Sequence, residues 1–330
     1  MKTVTLIPGD GIGPEISDVV KTVFKKLDVP VAFEEVNAGK TVFEKEGAYL
    51  PDALFESLEK NKLALKGPIT TPIGHGFRSV NVELRKRYDL YQNIRPIRPA
   101  AKLPLKFEGV DMVLFRENTE DLYAGIEEVV SENEAHSIKI ITREKSERII
   151  RAAFEYAVNH HRKSVTVVTK ANIMKATDGL FLNVARDVAR AYDIPVNEVL
   201  VDNMAMQMVM DPSQFDVIVT ENLYGDILSD LGAGLIGGLG MIPGVNKGDE
   251  MAIYESVHGS APDIAGKGVA NPTAMLLSAC LLLDDIDEGA RAEKIRRAID
   301  AVLSNPETRT KDLGGTLTTK TYTDALLERL

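Results

Sequence analysis

Short apolar runs alternate with amphipathic segments along most of this 330-residue sequence. The short runs have the length of buried strands, and apolar residues at three- and four-residue spacing are typical of helices that cover a sheet. A chain with this alternation is expected to fold as an α/β protein. The predicted strands are residues 4–7, 31–36, 111–115, 165–169 and 215–220, and the predicted helices are residues 14–27, 50–60, 146–160 and 179–192.

Local signals refine this prediction at several points. Pro51 suits the first turn of the second helix, and Ser146 and Ser79 are candidate helix caps. Between residues 125 and 142, charged and β-branched residues alternate, which predicts a hairpin arm that reaches beyond the body of the protein and is able to pair with a second subunit. A cluster of prolines predicts that the chain crosses between domains near residue 98.

Composition excludes several classes of function. The length exceeds one ordinary domain. A net charge of −10 and a pI of about 5.2 argue against a nucleic-acid-binding protein. The apolar run at the N-terminus is too short for a secretory signal, and residues 275–283 are too few to span a membrane. The single cysteine, Cys280, rules out an internal disulfide and favours a buried thiol in a cytoplasmic protein.

The segment 222–230 follows a predicted strand and opens a helix, and it carries two carboxylates four residues apart. On a helix, Asp226 and Asp230 face the same way and repel each other unless a cation lies between them. Carboxylate oxygens are the ligands that Mg²⁺ and Mn²⁺ prefer. The alternative interpretation is a solvated acidic helix face.

A glycine-rich turn lies near the N-terminus, at residues 9–14. It follows a strand and opens a helix, as a dinucleotide-binding loop does, but its spacing is G-x-G-x-G and not G-x-G-x-x-G. We therefore interpret it as a tight turn in which glycine allows close packing, with a phosphate-binding loop as the alternative.

The segment 67–96 combines a loop rich in glycine, proline and threonine with a basic helix. Arg85, Arg95 and, further along, Arg116 each lie near the boundary of a predicted element. The guanidinium group binds carboxylates through two parallel hydrogen bonds. Three arginines that converge would suit a substrate with several carboxylates, whereas a single arginine is usually a surface cation.

Taken together, these motifs carry a resemblance that covers essentially the whole chain. The sequence resembles the isocitrate/isopropylmalate dehydrogenase family, whose metal-dependent members decarboxylate isocitrate, homoisocitrate, 3-isopropylmalate or tartrate. Several long motifs in the same order make the resemblance specific, although no single one would. Besides the arginine-rich segment, the matching motifs are residues 9–15, 115–123, 169–172, 222–230 and 258–262.

The resemblance implies a fold that is not Rossmann, with two domains and the active site in the cleft between them. Residues 1–97 and 233–330 match the large cofactor-binding domain, and residues 98–232 match the small domain. Members of the family are obligate dimers that share each active site between subunits, so the chain is expected to be a homodimer. A lysine and one metal-binding aspartate come from the partner subunit in the family, and they match Lys170 and Asp202.

The resemblance also implies the reaction. Asp226, Asp230 and the partner's Asp202 match the ligands of Mg²⁺ or Mn²⁺, which binds the hydroxyl and a carboxylate of the substrate. Lys170 matches the group that helps to remove the hydroxyl proton as hydride leaves for the nicotinamide. The keto acid then loses CO₂, the metal stabilises the enolate as a Lewis acid, and Tyr123 matches the donor of the final proton.

Substrate and cofactor are predicted from separate segments. Ser79 and Asn81 match the serine and asparagine that bind the γ-carboxylate of isocitrate, so isocitrate is the predicted substrate; homoisocitrate and 3-isopropylmalate are the alternatives. Ser79 also matches a serine that is phosphorylated in some relatives. Asp263 and Ile264 stand where NADP-dependent relatives have lysine and tyrosine, which predicts NAD. The other residues that match cofactor-binding positions are Thr70, Asn172, Glu255, His258, Gly259, Ser260, Ala261 and Asn271.

A hypothesis of another class is a regulatory subunit that has lost catalysis and only binds effectors within a hetero-oligomer. The catalytic, metal-binding and arginine positions named above are all occupied by the family's residues, which favours an enzyme.

Overall fold

The structure, a computed structural model, describes residues 1–70, 79–100 and 103–330. Ten of the strands in this part of the chain form one sheet, and two form a separate hairpin. The sheet strands are β1 (Lys2–Ile7), β2 (Val31–Glu35), β3 (Leu63–Lys66), β4 (Gln92–Ile97), β5 (Met112–Glu117), β8 (Val165–Thr169), β9 (Val196–Leu200), β10 (Val217–Thr220), β11 (Pro243–Lys247) and β12 (Ala252–Ser256), and the hairpin strands are β6 (Glu127–Ser131) and β7 (Glu134–Ser137).

Helices connect the strands and cover the sheet. They are amphipathic in most cases, with the apolar side packed on the sheet, and the main exception is the apolar helix that contains Cys280. The helices are α1 (Gly13–Lys26), α2 (Lys40–Glu46), α3 (Asp52–Asn61), α4 (Val80–Arg87), α5 (Arg143–Asn159), α6 (Thr177–Ala189), α7 (Val201–Met210), α8 (Asn222–Leu235), α9 (Thr273–Asp285), α10 (Gly289–Ser304) and α11 (Thr319–Leu327).

The sheet contains two parallel blocks that run in opposite directions. The strand order is β2-β1-β3-β12-β11-β4-β5-β10-β8-β9. Strands β2, β1, β3 and β12 are parallel, as are β5, β10, β8 and β9, and antiparallel pairs through β11 and β4 join the blocks. Because neighbouring parallel strands end at the same edge, the segments that follow β5, β10 and β8 lie side by side.

The α/β fold predicted from the alternating pattern is confirmed, and it is not a Rossmann sheet. Each predicted strand has a counterpart within two residues at either end. The division into two domains near residue 98 stays a prediction. In the described part of the chain, none of the helices combines the length and the apolar character needed to cross a membrane.

Two predictions about helix starts are corrected. Helix α5 begins at Arg143, and the side chain of Thr142 caps it by accepting from the backbone N–H of Lys145. Ser146 is instead buried in the first turn, where its hydroxyl donates to the carbonyl oxygen of Thr142. Pro51 lies at the N-cap position of α3, one residue before the first turn. Both errors are shifts of the helix start by a few residues, because pattern alone does not fix the first residue of a helix.

The predicted hairpin arm is present as β6 and β7. All nine of its strand residues are exposed, and Val129 has 80% of its surface accessible. The arm packs no apolar side chain into the core of its own chain, which is the state expected of a segment that associates with another surface.

Candidate active site

The candidate active site lies where the segments following β5, β10 and β8 meet. Helix α8 begins directly after β10, and it packs across the face of β4 and β5 that carries Arg95 and Arg116. The strand register explains why both arginines point to this face. Arg116 on β5 lies opposite Asn93 on β4, and Arg95 lies two residues after Asn93 on β4, so all three side chains are on one face of the sheet.

Arg116 is held between the sheet and α8. Its Nε donates to Oδ1 of Asn222 at 2.9 Å, and one of its terminal nitrogens donates to Oδ1 of Asp226. The side chain is 1% exposed and passes directly under Gly225. A Cβ atom at Gly225 would lie 2.5 Å from Cγ of Arg116, so only glycine allows helix and arginine to pack this closely.

Arg95 and Arg85 complete a buried cationic cluster. Arg95 donates to the hydroxyl of Ser229 and lies 3.8 Å from carboxylate oxygens of both Asp226 and Asp230. Burial and the neighbouring arginines lower the pKa of Arg95 to about 10. Burial and Arg116 lower the pKa of Arg85 as well. Like charges kept this close without solvent form a preorganised site for a multiply charged anion.

The buried carboxylate of Glu255 balances part of the positive charge of the arginine cluster. Glu255 lies 2.6 Å from Nζ of Lys66 and 3.5 Å from a terminal nitrogen of Arg85, and it accepts from Asn246 at 2.6 Å. Burial alone would raise its pKa, but Lys66 and Arg85 lower it to about 2. Glu255 therefore stays ionised and fixes the base of the arginine cluster.

Tyr123 lies in the segment after β5 and contacts Asp226, the carboxylate that Arg116 also binds. Its hydroxyl donates to Oδ2 of Asp226 at 2.7 Å, and the Arg116 guanidinium lies 4.9 Å from its ring centre. Burial raises the pKa of Tyr123, so the phenol is protonated at neutral pH. A half-buried phenol beside a cationic cluster is placed to give a proton to a bound molecule.

Asp226 and Asp230 lie on one side of α8, as their spacing predicts. Burial would raise the pKa of Asp226, but Arg116, Tyr123 and Arg95 lower it, whereas burial raises the pKa of Asp230. Among the described residues, no group of three or more histidine, cysteine, aspartate or glutamate side chains is placed to hold a metal ion. One chain thus provides two carboxylates here and not a full ligand set.

Lys170 and Asp202 form a separate pair. Lys170 follows β8, Asp202 lies in the first turn of α7, and Nζ of the lysine is 2.6 Å from Oδ1 of the aspartate. The hydrogen bond from Lys170 lowers the pKa of the exposed Asp202. Neither has a contact with Tyr123, Asp226 or Asp230 among the bonds formed by the described residues, so the predicted site residues fall into two groups.

The predicted substrate residues at the start of α4 are only partly described. Ser79 occupies the predicted N-cap position, but its side chain forms no capping hydrogen bond. Asn81 lies beside Arg85 and Glu255 at a cavity of about 10 Å³, and its Oδ1 is buried without a partner. Residues 71–78, which precede Ser79, lie outside the described residues.

The glycine-rich turn near the N-terminus packs against a second segment of predicted cofactor residues. Gly9 and Gly11 both have positive φ, and a Cβ atom at Gly11 would lie 1.9 Å from the carbonyl oxygen of Ser260. The Asp10 carboxylate fills the turn by accepting from the backbone N–H of Lys40 and of Thr70. The predicted tight, closely packed turn is therefore what the structure contains.

Segment 258–264 continues from this turn. The hydroxyls of Thr70 and Ser260 are 2.6 Å apart, and Ala261 has a φ of 41°. Nδ1 of His258 lies 3.0 Å from the carbonyl oxygen of Gly259, and burial lowers the pKa of the ring. Nε2 of His258 is buried without a partner. A neutral imidazole with one unused nitrogen is suited to contact a flat heterocyclic ligand.

The remaining predicted cofactor residues surround this segment. Asp263 and Asn172 are exposed, whereas Ile264 is half-buried against the core. The amide of Asn271 donates to Asp312 at 2.9 Å, and its Oδ1 accepts from the backbone N–H of Thr273. Asn172 lies in the connection after β8, two residues from Lys170, and therefore belongs with Lys170 and Asp202 and not with segment 258–271.

Sequence reasoning missed three residues that shape the site. Asn222 orients Arg116, Ser229 orients Arg95, and Lys66 neutralises Glu255. The signal for Lys66 was a lysine at the end of an otherwise apolar strand. Asn222 and Ser229 lie within the 222–230 motif, but their roles depend on the helix packing over the sheet.

Comparison with known proteins identifies a single family. The family described as "Isocitrate/isopropylmalate dehydrogenase" matches residues 3–326. "Isocitrate dehydrogenase [NAD] subunit alpha, mitochondrial" from Bos taurus is 49% identical, covering 100% of this chain and 91% of that protein. "Isocitrate dehydrogenase [NAD] catalytic subunit 5, mitochondrial" from Arabidopsis thaliana is 47% identical, covering 99% and 88%.

A solved structure agrees with this match over the whole chain. The crystal structure of isocitrate dehydrogenase from Methylococcus capsulatus superposes with a TM-score of 0.96 at 49% identity, covering 100% of this chain and 99% of that one.

Proposed function

The chain belongs to the isocitrate/isopropylmalate dehydrogenase family, and on this basis we propose that it oxidises and decarboxylates isocitrate to 2-oxoglutarate and CO₂ with NAD as hydride acceptor. The observation that carries the proposal is the convergence of Arg95 and Arg116 on Asp226, with Tyr123 bonded to the same carboxylate. Relatives named NAD isocitrate dehydrogenases match the full length of the chain.

The arginine cluster accounts for a tricarboxylate substrate. Arg95 and Arg116 pair with Asp226 and Asp230, and Arg85 and Lys66 pair with Glu255. Four cationic groups thus face three carboxylates, which leaves positive charge for a bound anion. Ser79 and Asn81 provide polar groups next to Arg85, where an isopropyl side chain would require an apolar wall. A longer homoisocitrate chain is the alternative that the assay below separates.

A divalent cation fits the carboxylates of two chains. Asp226 and Asp230 offer hard oxygen ligands on one helix face, and Asp202 of the partner would supply the third. When bound, Mg²⁺ or Mn²⁺ supplies Lewis-acid stabilisation of negative charge on substrate oxygens. Tyr123 holds its proton next to this place, and the amine of the partner's Lys170 would help to remove the hydroxyl proton as hydride leaves C2.

NAD is the proposed cofactor for segment 258–271. Asp263 is exposed and places a negative charge where the 2′-phosphate of NADP would be repelled. The unpartnered nitrogen of His258 fits an adenine ring, and Thr70 and Ser260 join the glycine-rich turn to this segment.

A homodimer is proposed because each chain holds two incomplete groups of site residues. Apolar side chains are also exposed close to the lysine pair and on the arm, which is unfavourable in water unless a second surface covers them. They include Ile173 on the loop after Lys170, Met206 and Met210 on α7, Ile227 on α8 and Val129 on the arm. The proposed compartment remains the cytoplasm.

The test of the reaction is a steady-state assay that crosses substrates with cofactors. Isocitrate, homoisocitrate, 3-isopropylmalate and tartrate are each combined with NAD and NADP, with Mg²⁺, Mn²⁺ or EDTA. Turnover with isocitrate, NAD and metal, and its loss in EDTA, is expected. Turnover with another substrate would refute isocitrate as substrate, and no turnover with any pair would favour a regulatory subunit.

Complementation tests the shared site. Homodimers of Lys170→Met and of Asp226→Asn are expected to be inactive. Mixed dimers contain one complete site, so a random mixture should recover about one quarter of the wild-type activity. No recovery would show that each chain builds its own site.

A further inference from the structure

Lys139 follows the hairpin arm and is the point at which the arm enters the protein. Its ammonium lies 2.5 Å from Glu221, 2.7 Å from Asp178 and 3.8 Å from Asp121. All three carboxylates are at most 1% exposed, and the ring of Tyr224 lies 4.4 Å away. Within the described ranges, Lys139 is the only cation that pairs with any of the three.

Each carboxylate lies at or is bonded to a segment that carries a predicted site residue. Glu221 is the N-cap residue of α8, the helix of Asp226. Asp178 accepts from the backbone N–H of Lys170 at 2.6 Å and from the hydroxyl of Tyr224 at 3.0 Å.

The third carboxylate, Asp121, links the segment that contains Tyr123 to the first turn of helix α8. Asp121 stands two residues before Tyr123 and accepts from the backbone N–H of Leu223 at 2.7 Å. Its φ of 72° is a strained conformation for aspartate, which the surrounding bonds must maintain.

The three elements meet here because β5, β10 and β8 are parallel neighbours. Their carboxyl ends place three acidic residues together, and buried carboxylates need a cation. Burial and the neighbouring Asp178 raise the pKa of Glu221, and the Lys139 ammonium opposes that rise. Without Lys139, these carboxylates would be left to repel one another, and the three elements would move apart.

We propose that Lys139 is a positioning residue that joins the two half-sites of its own chain. The metal half contains Asp226, Asp230 and Tyr123, and the lysine half contains Lys170 and Asp202. Resting on the shared site proposed above, these halves serve different active sites of the dimer. Lys139 therefore aligns both active sites of the dimer, through its ion pairs with Asp178 and Glu221 at the base of the hairpin arm.

Mixed dimers isolated through two different affinity tags test this. One chain carries Lys170→Met and supplies the metal half of the one complete site, and the other carries Asp226→Asn and supplies the lysine half. Lys139→Met is placed in either chain. In both placements kcat should fall on the order of ten- to hundred-fold, because small misplacement of reacting groups costs that much. The KM for isocitrate is measured alongside.

Controls separate positioning from loss of structure. Lys139→Arg should recover part of kcat in both placements, and Lys60→Met, which removes an exposed ion pair with Glu34 at 3.1 Å, should change nothing. Where Lys139→Met alone prevents assembly, the double variant with Glu221→Gln removes both charges together and takes its place. Full activity in either placement would overturn the proposal, whereas inactive parental mixed dimers would instead refute the shared site.

Discussion

Nζ of Lys170 lies 2.6 Å from Oδ1 of Asp202, at the surface and apart from the arginine cluster. Among the described residues, neither side chain forms an ion pair with any group other than this partner. The group of Tyr123, Asp226 and Asp230 is also incomplete, with two carboxylates where a metal ion needs more ligands, and no larger metal-binding group is found among the described residues. In the site that we propose, a second chain supplies the missing groups, even though one chain folds into a continuous ten-stranded sheet.

Replacement of Tyr123 by phenylalanine should remove the proton donor and keep the ring. We expect kcat to fall about 10²- to 10⁴-fold with a nearly unchanged KM for isocitrate, because general acid catalysis contributes an effect of this size. Steady-state kinetics provides the measurement. Tyr91→Phe, which loses a hydrogen bond of 3.3 Å to Asp249, is the control, and equal effects of the two substitutions would contradict the role of Tyr123.

Asp226→Asn should abolish metal-dependent turnover, because a neutral amide is a poorer ligand for Mg²⁺ or Mn²⁺ and leaves Arg116 without its carboxylate. Calorimetric titration with Mn²⁺ in the presence of isocitrate should lose its binding signal. Asp249→Asn removes an exposed carboxylate that accepts from the Tyr91 hydroxyl, and it should bind metal as the wild type does. Normal Mn²⁺ binding by Asp226→Asn would exclude it as a ligand.

The double substitution Asp263→Lys and Ile264→Tyr should shift cofactor preference toward NADP. The change removes a carboxylate that repels the 2′-phosphate and adds a cation that attracts it. The ratio of kcat/KM for NADP to that for NAD should rise at least ten-fold. Asp193→Lys makes the same charge change at an exposed site before β9 and should leave the ratio unaltered. A ratio that does not move disproves the cofactor assignment.

Gly11→Ala should destabilise the protein more than Gly47→Ala. Both glycines have positive φ, of 61° and 76°, which costs an alanine about 1–2 kcal/mol. Only at Gly11 would the new Cβ also collide with a backbone, 1.9 Å from the carbonyl oxygen of Ser260, whereas Gly47 has open space. Urea unfolding measures the free energy of unfolding of both variants. Equal losses would show that the collision with Ser260 does not destabilise the protein.

Glu255 should make the protein less stable in acid. Its pKa is about 2 in the folded protein and 4.5 ordinarily, so between these values the unfolded chain binds a proton that the folded chain does not. The free energy of unfolding therefore falls as pH drops through this window, by at most about 1.4 kcal/mol per pH unit. Glu255→Gln should lose this part of the pH dependence, as measured by urea unfolding at several pH values; identical slopes would argue against the ion pair.

Much of the fold could be predicted from local pattern. Five of the ten described sheet strands, β1, β2, β5, β8 and β10, could be predicted because each is a short apolar run, and the hairpin arm because its alternation differs from that of the body. Helix starts were less certain: Thr142 caps α5 where Ser146 was predicted, since several polar residues compete for the same end and their geometry decides. The same limitation applies at Ser79, which has the cap position without the capping bond.

The sequence by itself determined the residue types of the site and their order along the chain, because side-chain chemistry and spacing are local properties. It placed Asp226 and Asp230 on one helix face and grouped the glycines of the tight turn. Only the tertiary structure decided that Asn222 holds Arg116, that Lys66 neutralises Glu255 and that Lys139 joins three acidic residues. These contacts join residues distant in sequence, and they follow from which strands are neighbours in the sheet and where those strands end.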